Sequence, residues 1–247
     1  MSTIDVKNNF QEFGKYIQIV AILTIVSIAT GITGLIALIF VFIAIGCIKK
    51  ANYTLSNASL YEFRSKYIKG FILRIIGTII LVTGVVNLVL FLFIPISFPI
   101  YITVFLSIIF MGSGLLFIYT GVAAEVKAWK NLKLFFENNS KMFPPDISKE
   151  AIEGCDKLKT GTILSALGFL IVPGIIGFIF QIKGYFKLAT LNKLSTYDAP
   201  ITLELQTNLP KSQPVNNLEG KISFCPNCGT KLSGLGSFCA LCGSEIN

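Results

Sequence analysis

Apolar residues along this chain do not recur at helical or strand spacing; they run together in four blocks parted by short, lysine-rich stretches. The middle two blocks are simple. GFILRIIGTIILVTGVVNLVLFLF (Gly70 to Phe93) and IYITVFLSIIFMGSGLLFIYTGVAA (Ile100 to Ala124) each match one bilayer thickness at about 1.5 Å per residue. The uncharged IPISFP between them, with Pro95 and Pro99, predicts a tight turn at one membrane face, because proline does not continue a helix. The outer blocks run from Tyr16 to Ile48, interrupted by TGITG, and from Gly161 to Leu191, interrupted by VPG at Val172, Pro173 and Gly174. Each suits one tilted helix or two short ones, since glycine and proline are tolerated inside membrane helices.

Parity decides between these alternatives. The segment from Lys49 to Arg74 carries Lys49, Lys50, Arg64, Lys66, Lys69 and Arg74 against the single acid Glu62, which the positive-inside rule places in the cytoplasm. The middle blocks form a hairpin, so the lysine-rich segment from Glu125 to Thr160 shares that side. The chain ends in cysteine pairs that read as thiolate metal ligands of a reducing cytosol, so the last block is read as turning back at VPG, with arms from about Asp156 to Val172 and Ile175 to Leu194 and with Lys183 and Lys187 snorkelling to the headgroups. The same logic breaks the first block at GITG. The expected fold is therefore an all-α polytopic membrane protein of four apolar blocks and six membrane-inserted helices, the outer blocks re-entering. YIKGFILRIIG and KLKTGTILSALG, each opening an apolar helix with a lysine and a glycine, hint at an internal repeat. After the third block, AEVKAWKNLKLFFENN puts Trp129, Leu132 and Phe136 near one face, which suits either an interfacial helix or a membrane helix that simply continues into water.

Composition agrees. Of 247 residues, 53% are hydrophobic and 14% charged, against roughly 25% charged in soluble domains, and the mean hydropathy is +0.72. The net charge of +8 sits at block ends, where topology and anionic lipid account for it, so nucleic acid is not an expected partner. The chain has no histidine, which removes Ser-His-Asp triads, Cys-His pairs and histidine-ligated catalytic metals. No carboxylate lies between the block ends, so a proton relay or aspartyl protease lacks its residues. An enzyme is not expected. Arg74, one turn inside its span, is expected to snorkel, and Asn87 to hydrogen-bond between helices. Small residues at helical spacing, Ser27 with Gly31 and Thr30 with Gly34, suit packing within the chain or homo-oligomerisation equally.

The tail is different in kind. A transmembrane domain over 1–194 gives way to a proline-containing linker over 195–221, with a flexible reach on the order of 30 Å, and then to 222–247, which holds four of the six cysteines. Cys225-x2-Cys228 and Cys239-x2-Cys242 are parted by ten residues, and each pair is followed by a glycine, Gly229 or Gly243. Two residues between cysteines let a tight turn aim both sulfurs at one ion, and two such knuckles make a tetrahedral all-thiolate site. Four thiolates with no open position suit structural zinc best; iron uses the same ligands. A fragment this short has almost no core, so metal would supply most of its folding free energy. Cys47 and Cys155, standing alone, read as small apolar filler.

FCPNCGTKL resembles the half-motif of the short zinc ribbons found at one end of many prokaryotic membrane proteins. SFCALCGSEI is similar to the second half, departing where Ala240 replaces a proline. IIGFIFQIKGYFKLATL and the glycine-punctuated blocks resemble archaeal multi-span membrane families of unknown function. The ribbon resemblance implies a binding or structural module. Two functions are expected to compete: a cell-membrane protein whose cytosolic ribbon binds another protein, or a channel or transporter of two related halves with an accessory ribbon.

Overall fold

In a computed structural model, residues 3–30, 33–93, 100–167 and 171–196 and two short strands at 223–224 and 231–232 are described. The chain divides into two units, Met1–Leu203 and Glu204–Asn247. The first unit consists of six helices: α1 (Thr3–Thr30), α2 (Thr33–Leu55), α3 (Ala58–Phe93), α4 (Ile100–Asn138), α5 (Pro145–Ala166) and α6 (Ile171–Ala189), the last followed by a 3₁₀ segment, Thr190–Thr196. In the second, β1 (Ser223–Phe224) and β2 (Lys231–Leu232) pair antiparallel, with Ser223 opposite Leu232 and Phe224 opposite Lys231. They flank the stretch that carries Cys225 and Cys228.

The boundaries follow local chemistry. α1 ends at Thr30 and α2 begins at Thr33, on either side of the start of the GITG interruption. The last block parts earlier than expected. α5 closes by Leu167 and α6 opens at Ile171, so Val172, Pro173 and Gly174 form its first turn. Proline belongs there, because the first N–H groups of a helix have no intrahelical acceptor to lose. α5 starts at Pro145 for the same reason. Between α2 and α3 the chain turns through Ser56, at φ 47°. Asn57 then caps α3, its Oδ1 accepting the N–H of Ser59 at 2.9 Å, while Asn52 Oδ1 accepts the N–H of Asn57 at 2.8 Å.

The six helices make three antiparallel hairpins. Each hairpin packs on the next, and α1 packs on α6 and the 3₁₀ segment, closing a ring. At one end the ring is filled like a soluble protein. Phe10 of α1 stacks on Phe135 at 5.5 Å and meets Phe143 edge-on at 5.2 Å; Phe63 and Tyr67 of α3 pack on Trp129 of α4. Ile48, Leu60, Leu132, Leu158, Leu188 and Leu191 complete this core with under 2% of their surface exposed, each contributing about 1.5–3 kcal/mol by leaving water. Trp129, Leu132 and Phe136 are therefore not an interfacial face. α4 runs unbroken into the core, where Phe63, Tyr67 and Tyr185 cover Trp129, and Phe10 and Phe143 cover Phe136.

Ion pairs hold the rim of this end. Lys133 bridges to Asp156 at 2.6 Å, and Lys187 bonds Glu150 at 2.8 Å and Glu153 at 2.7 Å. Lys187 thus pairs with α5 instead of snorkelling. Toward the other end the helices turn apolar faces outward: Ile79, Phe105, Leu116 and Ile171 are all more than 60% exposed. Four helices, Thr33–Leu55, Ala58–Leu90, Ile102–Asn138 and Ile171–Ser195, are long and apolar enough to cross a membrane.

Glycine holds two hairpins shut. On α3 and α4, a Cβ on Gly70 would stand 2.7 Å from the Gly121 carbonyl oxygen, and one on Gly77 2.7 Å from that of Gly114. On α5 and α6 the same relation joins Gly154 to Gly184 and Gly161 to Gly177. The spacing is seven residues on all four helices, two turns, so the glycines line one seam per hairpin and let the backbones touch.

Candidate functional site

The seam leads to the most polar place in the helical unit. Arg74 of α3 donates from Nη1 to Oε2 of Glu125 on α4 at 2.7 Å, and Glu125 is 5% exposed. The glycines build this pair. A Cβ on Gly121 would lie 2.7 Å from Arg74 Cγ and one on Gly70 2.8 Å from Glu125 Cγ. Only bare backbone leaves room for both side chains to lie across the helix crossing. Arg74 therefore bonds to a carboxylate within the protein and does not snorkel. Sequence reading missed Glu125 because it stands one residue past its apolar block; its separation from Arg74 by one antiparallel register was the available signal.

The pair faces a cavity of about 490 Å³ at the centre of the ring, to which all six helices contribute. Tyr67 and Tyr185 line it from either side of Trp129, their rings 5.4 Å and 6.5 Å from the indole. Most hydroxyls in the wall spend their protons on their own helix: Thr24 on Val20 O at 2.7 Å, Thr78 on Arg74 O at 2.8 Å, Thr162 on Leu158 O at 2.8 Å. Gln181 donates to Ser165 at 3.2 Å. What remains is the second amide proton of Gln181, the free donors of Arg74, and the lone pairs of hydroxyls and of Glu125. The charges cancel. Such a lining suits water or a neutral or zwitterionic group and gives no net attraction to a free cation or anion.

Other residues singled out in sequence prove structural. Asn87 donates to Thr83 O of its own helix at 2.9 Å, not between helices. Ser27 and Gly34 face each other across the α1–α2 hairpin, where a Cβ added to Gly34 would lie 3.9 Å from that of Ser27. Cys47 and Cys155 are buried free thiols, the filler expected of them. Burial pushes the Cys155 thiol well above the ordinary range, so it stays protonated and inert.

The predicted metal ligands Cys225, Cys228, Cys239 and Cys242 lie outside the described residues, as does nearly all of the linker. Among the described residues no group of three or more potential ligands gathers to hold a metal. The donor set itself fits one closed tetrahedral ion: four thiolates and no histidine or carboxylate between them.

Fold and surface together define the class: the described residues of Met1–Leu203 form an all-helical unit with apolar helices that fit a lipid bilayer. No protein-family model, curated protein or solved structure matches the chain.

Proposed function

We propose that this is a non-enzymatic membrane adaptor, in which the helical unit anchors a zinc ribbon that binds a protein partner on the cytoplasmic side. The observation that carries this reading is where the first and last segments of the helical unit lie. Val6 near the start of α1 and Leu194 in the final 3₁₀ segment are buried in the same core as Leu60, Phe135 and Ile147. Both outer blocks therefore turn back, and the chain leaves the helical unit at the end that carries Lys49, Lys50, Arg64, Lys66 and Lys127. No charged residue stands between Arg74 and Glu125 at the opposite end. By the positive-inside rule the charged end is cytoplasmic, where thiolates stay reduced and hold zinc. Cys225, Cys228, Cys239 and Cys242 then fold the tail on a structural Zn²⁺.

In this topology only α3 and α4 cross the bilayer, and α1–α2 and α5–α6 are re-entrant hairpins. A membrane-impermeant thiol reagent tests it. Tail cysteines should label in inverted vesicles after zinc chelation and stay unlabelled in intact cells. Labelling of intact cells after chelation would put the tail outside and end the reading. Crosslinks from the tail to a protein partner in cells should disappear in Cys239→Ser.

A second reading rests on the central cavity: the helical unit passes a small neutral or zwitterionic solute, with the ribbon as accessory. Solute flux in reconstituted vesicles, undiminished when 197–247 are removed, would favour it over the adaptor.

A further inference from the structure

The three hairpins are unequal, and direct contacts between them set a common level from which to measure. Tyr67 of α3 and Tyr185 of α6 pack edge-on against the same ring, Trp129 of α4, at 5.4 Å and 6.5 Å. From there α3 continues to Phe93 and α6 back to Ile171, about 39 Å and 21 Å of helix at 1.5 Å per residue. Phe42 of α2 meets Phe71 of α3 at 5.0 Å. From that contact α2 reaches back to Thr33 and α3 on to Phe93, about 14 Å and 33 Å. Two independent contacts therefore agree: the outer hairpins stop about 18–20 Å short of the middle one.

The character of the short tips says where they stop. Leu35 is 71% exposed, Ile171 77% and Val172 66%, and no charged residue lies near either tip. A hairpin that ended in water would present polar groups there. These ends present large aliphatic side chains instead, which belong in hydrocarbon. The middle hairpin, at about 33 Å beyond Phe71, matches a hydrocarbon core of about 30 Å.

We infer that the helical unit is a one-leaflet wedge whose partner is a curved lipid surface, convex toward the end that carries the aromatic core. Six helices displace lipid in the near leaflet and two in the far one, so with helices of about 10–12 Å diameter the protein is roughly three times larger in cross-section on one side. Flat bilayer must thin or pack badly beneath the short hairpins, at a cost for every ångström of mismatch. Bilayer that bends away from the core supplies the extra area in the near leaflet. The inference rests on the re-entrant topology proposed above.

The test uses the whole wild-type chain, reconstituted into a mixture of small sonicated and large extruded vesicles of one neutral phospholipid, with protein density read vesicle by vesicle. A severalfold higher density on small vesicles is expected, with the core facing outward on them. Depth is measured separately. In a Trp129→Phe background, Leu35→Trp or Ile171→Trp should be quenched by lipids brominated deep in the acyl chain, and Leu90→Trp by those brominated near the headgroup. Equal density on both vesicle sizes, with the tip tryptophans quenched deep, overturns the wedge and leaves the topology intact. Tip tryptophans quenched at headgroup depth overturn the topology and the wedge with it.

Discussion

Replacing glycine by alanine separates two opposed effects in this fold. Inside a helix the exchange should gain up to about 1 kcal/mol, because glycine gives up more backbone freedom on folding. At Gly112 and Gly46 an added Cβ meets nothing within 4 Å, so G112A and G46A should be stabilised by about 0.5–1 kcal/mol. At Gly77 the same carbon would stand 2.7 Å from Gly114 O and 2.8 Å from Ile118 N; at Gly114 it would stand 2.7 Å from Leu81 N. These neighbours are main chain and cannot swing aside. The helices must part along the seam, and overpacking of this kind costs about 1–3 kcal/mol, with lost contact on either side of the new Cβ. The clash exceeds the propensity gain, so G77A and G114A should each be destabilised by a net of about 1–2 kcal/mol. Unfolding in mild detergent, followed by circular dichroism against denaturant, reads both signs in one experiment. If G77A is stabilised as much as G112A, the backbones do not touch at this seam and the argument is refuted.

The ion pair at Arg74 gives a second expectation: Arg74→Leu alone leaves the buried Glu125 carboxylate without its partner and should cost about 3–5 kcal/mol, Glu125→Gln should cost less because the Arg74 side chain is 36% exposed, and the double change to leucine should cost much less than Arg74→Leu. The same unfolding assay closes that cycle, and additive losses would mean the two groups act independently. Burial raises Asp156, but hydrogen bonds from Lys133 and Lys159 outweigh it and hold the carboxyl below the usual aspartate range. Its contribution is thus present above the ordinary aspartate pKa and lost as pH falls through the depressed native value. Asp156→Asn should flatten the decline of stability measured below about pH 4. For the tail, metal analysis of the purified chain should find one zinc, removed by Cys239→Ser or Cys242→Ser, with unfolding of the helical unit unchanged; zinc retained in either variant would contradict the four-thiolate site.

Much of the architecture is written in the order of residues, and the exceptions have physical causes. The split at GITG could be read because glycine is the weakest helix former present there. VPG misled because proline breaks a helix interior yet suits a first turn, and nothing local distinguishes the two. A lysine at a helix end looks the same whether it reaches for lipid, as expected of Lys187, or for Glu150 and Glu153 on the facing helix. Trp129, Leu132 and Phe136 showed an apolar stripe; what covers a stripe is a tertiary fact. The cavity was hidden for the same reason, since Tyr67, Thr162 and Gln181 come together only when three hairpins close into a ring. The glycine seams were visible as heptad spacing on α3 to α6, although their antiparallel register appears only once the helices are paired.

Closure of that ring orders events during synthesis. Gly14 of α1 packs so closely on the 3₁₀ segment that a Cβ there would stand 2.4 Å from Asn192 N, and Gln18 bonds Asn192 at 3.3 Å. Phe10 likewise needs Phe135 and Phe143, made long after it. At roughly 5–20 residues per second the first helix waits on the order of 10–40 s for its last partner to leave the ribosome. During that interval Phe10, Phe13 and Ile17 face water or lipid, and the nascent chain must be shielded until α6 arrives. Mutations in the final hairpin should therefore register first as aggregation or degradation traced to the N-terminus.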